Sequence, residues 1–260
     1  MAEKTMTGKT LFISGGTRGI GKAIVYEFAS KGCDVAFTYA SNVDIANEII
    51  TDIQSQFGIK AKAYKLDIME PLTYKDVYKE FDEDFNRLDY FISNAIISGR
   101  AVVGGFAPFM RLKPKGLTNI YTATVSAFVV GSQEAVKRME KTGGGSIISM
   151  SSTGNLVYTP NYSGHGTNKA AVETMVKYAA AELGEKNIRV NAVSGGPIDT
   201  DALKAFPNYE TVKAEVVKRS PLSRMGDATD LTGACAFLCS ESASWLTGQT
   251  IVIDGGTSFQ

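Results

Sequence analysis

Short apolar runs rich in β-branched residues alternate along this chain with longer stretches whose apolar positions recur at helical spacing. The apolar runs are KTLFISG (9–15), CDVAFTY (33–39), KAYKLDI (62–68), LDYFISNA (88–95), GGSIISMSS (144–152), IRVNAVSGG (188–196) and QTIVIDGG (249–256). Each has the length and composition of a strand. Between them, Gly21 to Lys31, Val43 to Phe57, Pro71 to Phe85, and roughly 120–140, 163–184 and 228–239 are predicted helices. Strands that are apolar almost throughout are buried on both faces, and intervening helices supply the cover. The expected architecture is α/β: a single doubly wound parallel sheet spanning residues 1–260, with helices on both faces. No internal repeat, low-complexity tract or linker divides the chain.

Composition narrows the function. Lys plus Arg and Asp plus Glu balance at 27 each, which gives no electrostatic footprint for nucleic acid or an anionic membrane surface. No stretch approaches the ~18 apolar residues of a membrane span, and MAEKTMTGKT has no apolar signal core. Cys33, Cys235 and Cys239 are an odd count without metal-ligand spacing, so core packing is the expectation and no metal is implied. These features read as a soluble cytoplasmic protein.

The turn after the first predicted strand, SGGTRGIGKA, carries Gly15, Gly19 and Gly21 in the pattern G-x-x-x-G-x-G. Glycine permits positive φ and close backbone approach, so that a pyrophosphate can rest on the following helix N-terminus around Ile20. In this place the turn predicts a Rossmann-like dinucleotide site. NAD would call for a carboxylate at the end of the second strand, against the ribose hydroxyls. That end reads Thr38, Tyr39, Ala40, Ser41, Asn42. Asp34 stands at the wrong end of the strand and Asp44 lies in the next helix. Arg18, Ser41 and Asn42 are suited to a 2′-phosphate instead, so NADPH/NADP+ is the expected cofactor. Asp67 and Ile68 after the third strand, and Asn94 after the fourth, stand at the sheet edge where such folds bind ligands. Asp67 is placed to meet an adenine amino group or to cap the helix ahead of Pro71.

The stretch NYSGHGTNKAA (161–171) places Tyr162 seven residues before Lys169 and His165 four before it. Seven residues of helix is about 700° of rotation and about 10 Å of rise, so phenol and ammonium share a face. With GGTRGIG, LDI, SNA, SMSS, VNAVSGGPIDT and GQTIVIDGG, the chain resembles the short-chain dehydrogenase/reductase family over essentially its whole length. That family usually pairs a tyrosine and a lysine four apart. The seven-residue spacing and VNAVSGGPIDTDALKAFPN (190–208) resemble the NADPH-preferring type III enoyl-acyl-carrier-protein reductases.

The resemblance implies transfer of hydride from NADPH to the β-carbon of a trans-2-enoyl thioester in fatty acid synthesis. Tyr162 and Lys169 would be the catalytic pair, with Ser151 as a third candidate whose part is open. Pro197, Ile198 and Thr200 would hold the nicotinamide carboxamide. Thr124 stands where ketoreductases of the family carry a catalytic asparagine. Segments 95–119 and 199–222 are expected to cover an acyl chain. The expected partner is an acyl thioester carried on acyl-carrier protein, and the expected assembly a homotetramer. His165 is expected to line the pocket without an obligatory proton. A 3-oxoacyl thioester or other carbonyl reductase, and a non-catalytic NADP-binding sensor, are the competing readings.

Overall fold

The computed structural model describes residues 4–97, 102–204 and 209–259, excluding the side chains of residues 201 and 202. Its strands are β1 (Thr10–Ile13), β2 (Asp34–Tyr39), β3 (Ala61–Lys65), β4 (Tyr90–Ser93), β5 (Gly145–Ser152), β6 (Ile188–Gly195) and β7 (Thr250–Ile253). They form one seven-stranded sheet in the order β3-β2-β1-β4-β5-β6-β7, every neighbouring pair parallel. The helices are α1 (Gly19–Ser30), α2 (Val43–Phe57), α3 (Tyr74–Asp84), α4 (Pro114–Tyr121), α5 (Ala127–Met139), α6 (Ser163–Leu183), α7 (Asp201–Lys204), α8 (Tyr209–Arg219) and α9 (Thr232–Cys239). The expected doubly wound parallel sheet is what forms. The chain winds outward from β1 to β3, then returns to place β4 on the other side of β1. The crevice where winding reverses, at the strands' carboxyl ends, is where open sheets of this kind take ligands.

Two apolar layers sandwich the sheet, and they differ in kind. Ile24, Val25 and Phe28 of α1, Ile49 and Ile53 of α2, and Leu231, Cys235 and Leu238 build a mainly aliphatic layer. On the other face α3, α5 and α6 contribute Tyr74, Tyr78, Phe81, Phe128, Val172 and Val176. Phe12 of β1 stacks on Tyr78 at 4.4 Å and meets Phe81 edge-on at 5.7 Å. Such pairs add about 0.5–1.5 kcal/mol each beyond the area they bury. All three cysteines are buried free thiols, and burial pushes each thiol up, as core packing requires.

Helix 120–140, expected as one rod, is interrupted: Thr122–Ser126 wind as a π-helix between α4 and α5. Such insertions mark places where a helix is bent for a purpose, and this one buries Thr124. At the opposite end of the sheet, Asp89 accepts from the Thr10 amide and pairs with Arg87 and Lys9, which fixes β1 against β4. On the β7 side the single tryptophan, Trp245, is 98% exposed. Among the described residues, no helix is long and apolar enough to cross a membrane and no side-chain cluster could hold a metal.

Candidate active site at the carboxyl edge of the sheet

The glycine turn is braced from both neighbouring strands. Thr38 accepts from the Gly15 amide through its hydroxyl and from the Gly16 amide through its carbonyl, each at 3.0 Å. Asn94 Nδ2 donates to the carbonyls of Ser14 and Gly15 at 3.0 Å, and Ser14 Oγ accepts from the amides of Asn94 and Ala95. Asn94 is thus built into the turn's support, as is Thr38, which sequence reasoning left unassigned. A Cβ on Gly21 would lie 1.9 Å from the Gly15 carbonyl oxygen, so the turn closes onto α1 only because that position is glycine. No side chain caps α1: Arg18 occupies the N-cap position in extended conformation, ahead of Gly19, Ile20 and Gly21.

The other expected dinucleotide contacts gather on the same edge. Tyr39 is half-buried and packs on the aliphatic layer. Ser41 and Asn42 are exposed, and Asn42 Oδ1 accepts from the Ile45 amide at 3.1 Å, leaving its amide nitrogen for other work. Asp34 is held at the far end of β2 by the Lys60 amide. Asp67 Oδ1 accepts from the Met69 amide at 2.8 Å, a bond that shapes the turn after β3. It does not cap the short helix that starts at Pro71, whose N-cap is Glu70 without a side-chain bond, while Ile68 packs on the aromatic layer. Pro197 to Thr200 hang between β6 and β7. Gly196 donates to Ile253, Asp199 donates to Gly226, and Ile198 is buried. Thr200 faces the glycine turn, its Cγ2 3.7 Å from where a Gly19 Cβ would stand.

The chemistry-bearing residues lie along α6. Tyr162 is its N-cap residue. Its ring lies against Gly154, where a Cβ would come within 2.5 Å of ring atoms. Burial raises the phenol and a hydrogen bond with Ser152 opposes that rise. The His165 imidazole is 4% exposed, with ring centroids 4.2 Å from Phe106 and 5.5 Å from Tyr162. Burial, then the charge of Lys169, push it down to about 4, so it is a neutral imidazole at working pH. Lys169 is 6% exposed and Nζ donates to the Met150 carbonyl at 2.6 Å. Burial pushes its ammonium down to about 8, against the opposing charge of Glu173.

The structure brings Tyr162, His165 and Lys169 together, but it does not bring Ser151 to the phenol. Ser151 Oγ donates to Glu173 Oε1 at 2.5 Å, and the serine bonded to Tyr162 is Ser152. Adjacent strand residues point to opposite faces, so a serine doublet always divides this way. Glu173 and Phe106 are the residues that sequence reasoning missed. The signal for Glu173 was its place four after Lys169, one turn along the same face. Of the expected covering segments, residues 98–101 and 205–208 lie outside the described residues. The part from Val102 to Gly105 packs against α4 and α6 at Gly116 and Gly164.

A protein-family model described as enoyl-(acyl carrier protein) reductase matches residues 4–258. The chain belongs to the short-chain dehydrogenase/reductases and is an oxidoreductase of that class. A 1-cyclohexenylcarbonyl-CoA reductase of Streptomyces collinus is 35% identical over 95% of this chain and 85% of its own length. A 3-oxoacyl-[acyl-carrier-protein] reductase FabG of Staphylococcus aureus is 30% identical over 95% of this chain and 97% of its own. Among solved structures, a 7α-hydroxysteroid dehydrogenase complexed with NADH and 7-oxo glycochenodeoxycholic acid aligns with TM-score 0.88 and 33% identity. That alignment covers 98% of this chain and 96% of the other.

Proposed function

We propose that this chain reduces the conjugated double bond of 2-enoyl thioesters with NADPH. The observation that carries the reading is the arrangement on α6. The phenol stands seven residues before Lys169, and the position four before it holds a buried, neutral imidazole that is a poor substitute for a tyrosine acid. The longer spacing sets the hydroxyl further from the lysine and suits the oxygen of an enoyl thioester, whose reacting carbon lies two atoms beyond. The name of the Streptomyces relative, an unsaturated acyl-CoA, supports the same class of substrate.

The residues present fit a nicotinamide dinucleotide. The turn closes tightly on α1 at Gly21, and α1 begins without a side-chain cap. Both suit a pyrophosphate. When bound, the cofactor supplies the hydride received by the β-carbon. Tyr162 donates to the thioester oxygen, where charge accumulates before the α-carbon takes its proton. A preplaced donor of this kind is worth about 3–4 kcal/mol. Lys169 has two ammonium protons left after its bond to Met150, for ribose hydroxyls and for keeping positive charge by the phenol. Ile198 and Thr200 would hold the carboxamide, with Asp67 and Ile68 at the adenine end. The segments 95–119 and 199–222 would close over the acyl chain. Acyl-carrier protein as carrier and a homotetramer complete the reading.

The absence of a carboxylate at the end of β2, with Arg18 free to meet a 2′-phosphate, favours NADPH over NADH. Arg18→Ala is expected to raise the KM for NADPH about tenfold or more, in the range of a charge-assisted hydrogen bond, and to leave that for NADH nearly unchanged. Steady-state kinetics with both cofactors checks this, and equal use of the two by the unmodified protein overturns it.

The second reading, a 3-oxoacyl thioester reductase, draws on the Staphylococcus relative. NADPH oxidation with crotonyl thioester beside acetoacetyl thioester separates the two. The enoyl reading expects crotonyl turnover to exceed acetoacetyl turnover by at least a hundredfold in kcat/KM, about 2.7 kcal/mol. Turnover of acetoacetyl thioester alone sinks it.

A further inference from the structure

The bond between Ser151 and Glu173 belongs to a larger arrangement. On β5, Ser146 and Met150 point towards α9: Ser146 donates to the Leu238 carbonyl, and Met150 Sδ lies 3.8 Å from Cys235 Sγ. Ile147 and Ser151 point to the other face, where α6 packs. Lys169 and Glu173, one turn apart on α6, therefore reach successive residues of one strand. Lys169 takes the Met150 carbonyl at 2.6 Å, and Glu173 takes the Ser151 hydroxyl at 2.5 Å. Two rungs bind helix to strand, and they set a carboxylate beside a buried ammonium.

That ammonium has few other influences. From α6 itself the neutral His165 and Glu173 bear on it. From β5 it faces a carbonyl and a serine. The π-helical residues Thr122–Ser126 and the turn Thr153–Asn155 carry no ionisable group. On β6 the ionisable side chain is Arg189, at the distant end, where it donates to the carbonyls of Leu246 and Ser240. On α4, Lys115 and Tyr121 are exposed. Glu173 is the one carboxylate in this surround among the described residues.

We propose that Ser151 and Glu173 form an electrostatic brace for Lys169. Glu173 is a positioning residue that acts through the lysine, and Ser151 orients its carboxylate instead of touching substrate. The role given to Lys169 rests on the reductase reading above; the brace itself is a property of the folded chain. Its sign follows from charge. Removing the carboxylate favours the neutral amine, so the lysine loses its proton at lower pH and turnover fails at lower pH with it.

The test is an NMR titration of the full chain labelled with 13C at the lysine ε-carbon. One resonance should titrate near 8, far below the other lysines, and vanish in Lys169→Arg. Glu173→Gln should lower that midpoint by about one pH unit, Ser151→Ala should lower it by less, and Glu173→Asp should restore most of it. The alkaline limb of kcat/KM should move in the same direction and order. It is measured with whichever of the crotonyl and acetoacetyl thioesters the unmodified chain reduces, so failure of the enoyl reading leaves the titration intact. A midpoint unmoved by Glu173→Gln overturns the brace. A midpoint moved by Glu173→Gln but not by Ser151→Ala removes the serine from it, and loss of turnover in Ser151→Ala without a change in midpoint returns Ser151 to the substrate.

Discussion

Replacing Tyr162 by Phe is expected to lower kcat by roughly 10²–10³-fold, the cost of one lost donor at a developing oxyanion, while NADPH binding changes little. The ring's surroundings explain why the loss should be confined to the hydroxyl. Gly154, Phe106 and His165 hold the aromatic face, and Phe keeps every one of those contacts. Lys169→Ala should behave differently and raise the NADPH KM as well as lower kcat, because the ammonium serves both cofactor and phenol. His165→Ala should stay within about tenfold, roughly 1.4 kcal/mol of barrier, since a neutral imidazole lacks the readily released proton of an imidazolium. Stopped-flow turnover together with NADPH fluorescence titration separates the three variants. If His165→Ala is dead and Tyr162→Phe is active, the four-residue spacing is the working one and α6 belongs to a carbonyl reductase.

Gly21→Ala is expected to damage the fold and the cofactor site at once. Its Cβ would stand 1.9 Å from the Gly15 carbonyl oxygen and 2.5 Å from Asn94 Nδ2. Neither neighbour can yield cheaply: the oxygen is backbone, and the amide holds the Ser14 and Gly15 carbonyls. Overpacking of this kind costs about 1–3 kcal/mol, which for a chain of this size lowers Tm by several degrees. The displaced turn should also weaken NADPH binding by tenfold or more. Gly184→Ala is the control. Gly184 has helical dihedrals of −58° and −42° and open space around it, so alanine should be neutral or slightly stabilising there. Thermal melts of the two variants with and without NADPH check the contrast.

The period of the apolar pattern made the strands and most helices legible, because a strand buried on both faces has no polar alternation to blur it. Boundaries slipped where side chains, not propensity, end an element. The first strand stops at Ile13 because Ser14 turns its hydroxyl to the amides after β4, and the third stops at Lys65 ahead of the Asp67 turn. Strand order and the π-helical interruption at Thr124 are tertiary properties that no local window carries. At the site, the nearness of Tyr162, His165 and Lys169 was legible because the last two share α6 and Tyr162 is its N-cap. Ser151 was not, because the doublet SS states that one hydroxyl faces each side of β5 without saying which side α6 and its carboxylate will occupy.

The lone tryptophan sets what fluorescence can report. In a single chain the Trp245 indole stands almost wholly in water, so its emission already sits at the long-wavelength limit and denaturation moves it little. Association that covers the β7 side would shift the emission to shorter wavelength and shield the ring from aqueous quenchers. Intrinsic tryptophan emission in this protein is therefore a gauge of assembly at that side and nearly blind to unfolding, for which circular dichroism or the buried tyrosines of the aromatic layer are the informative probes.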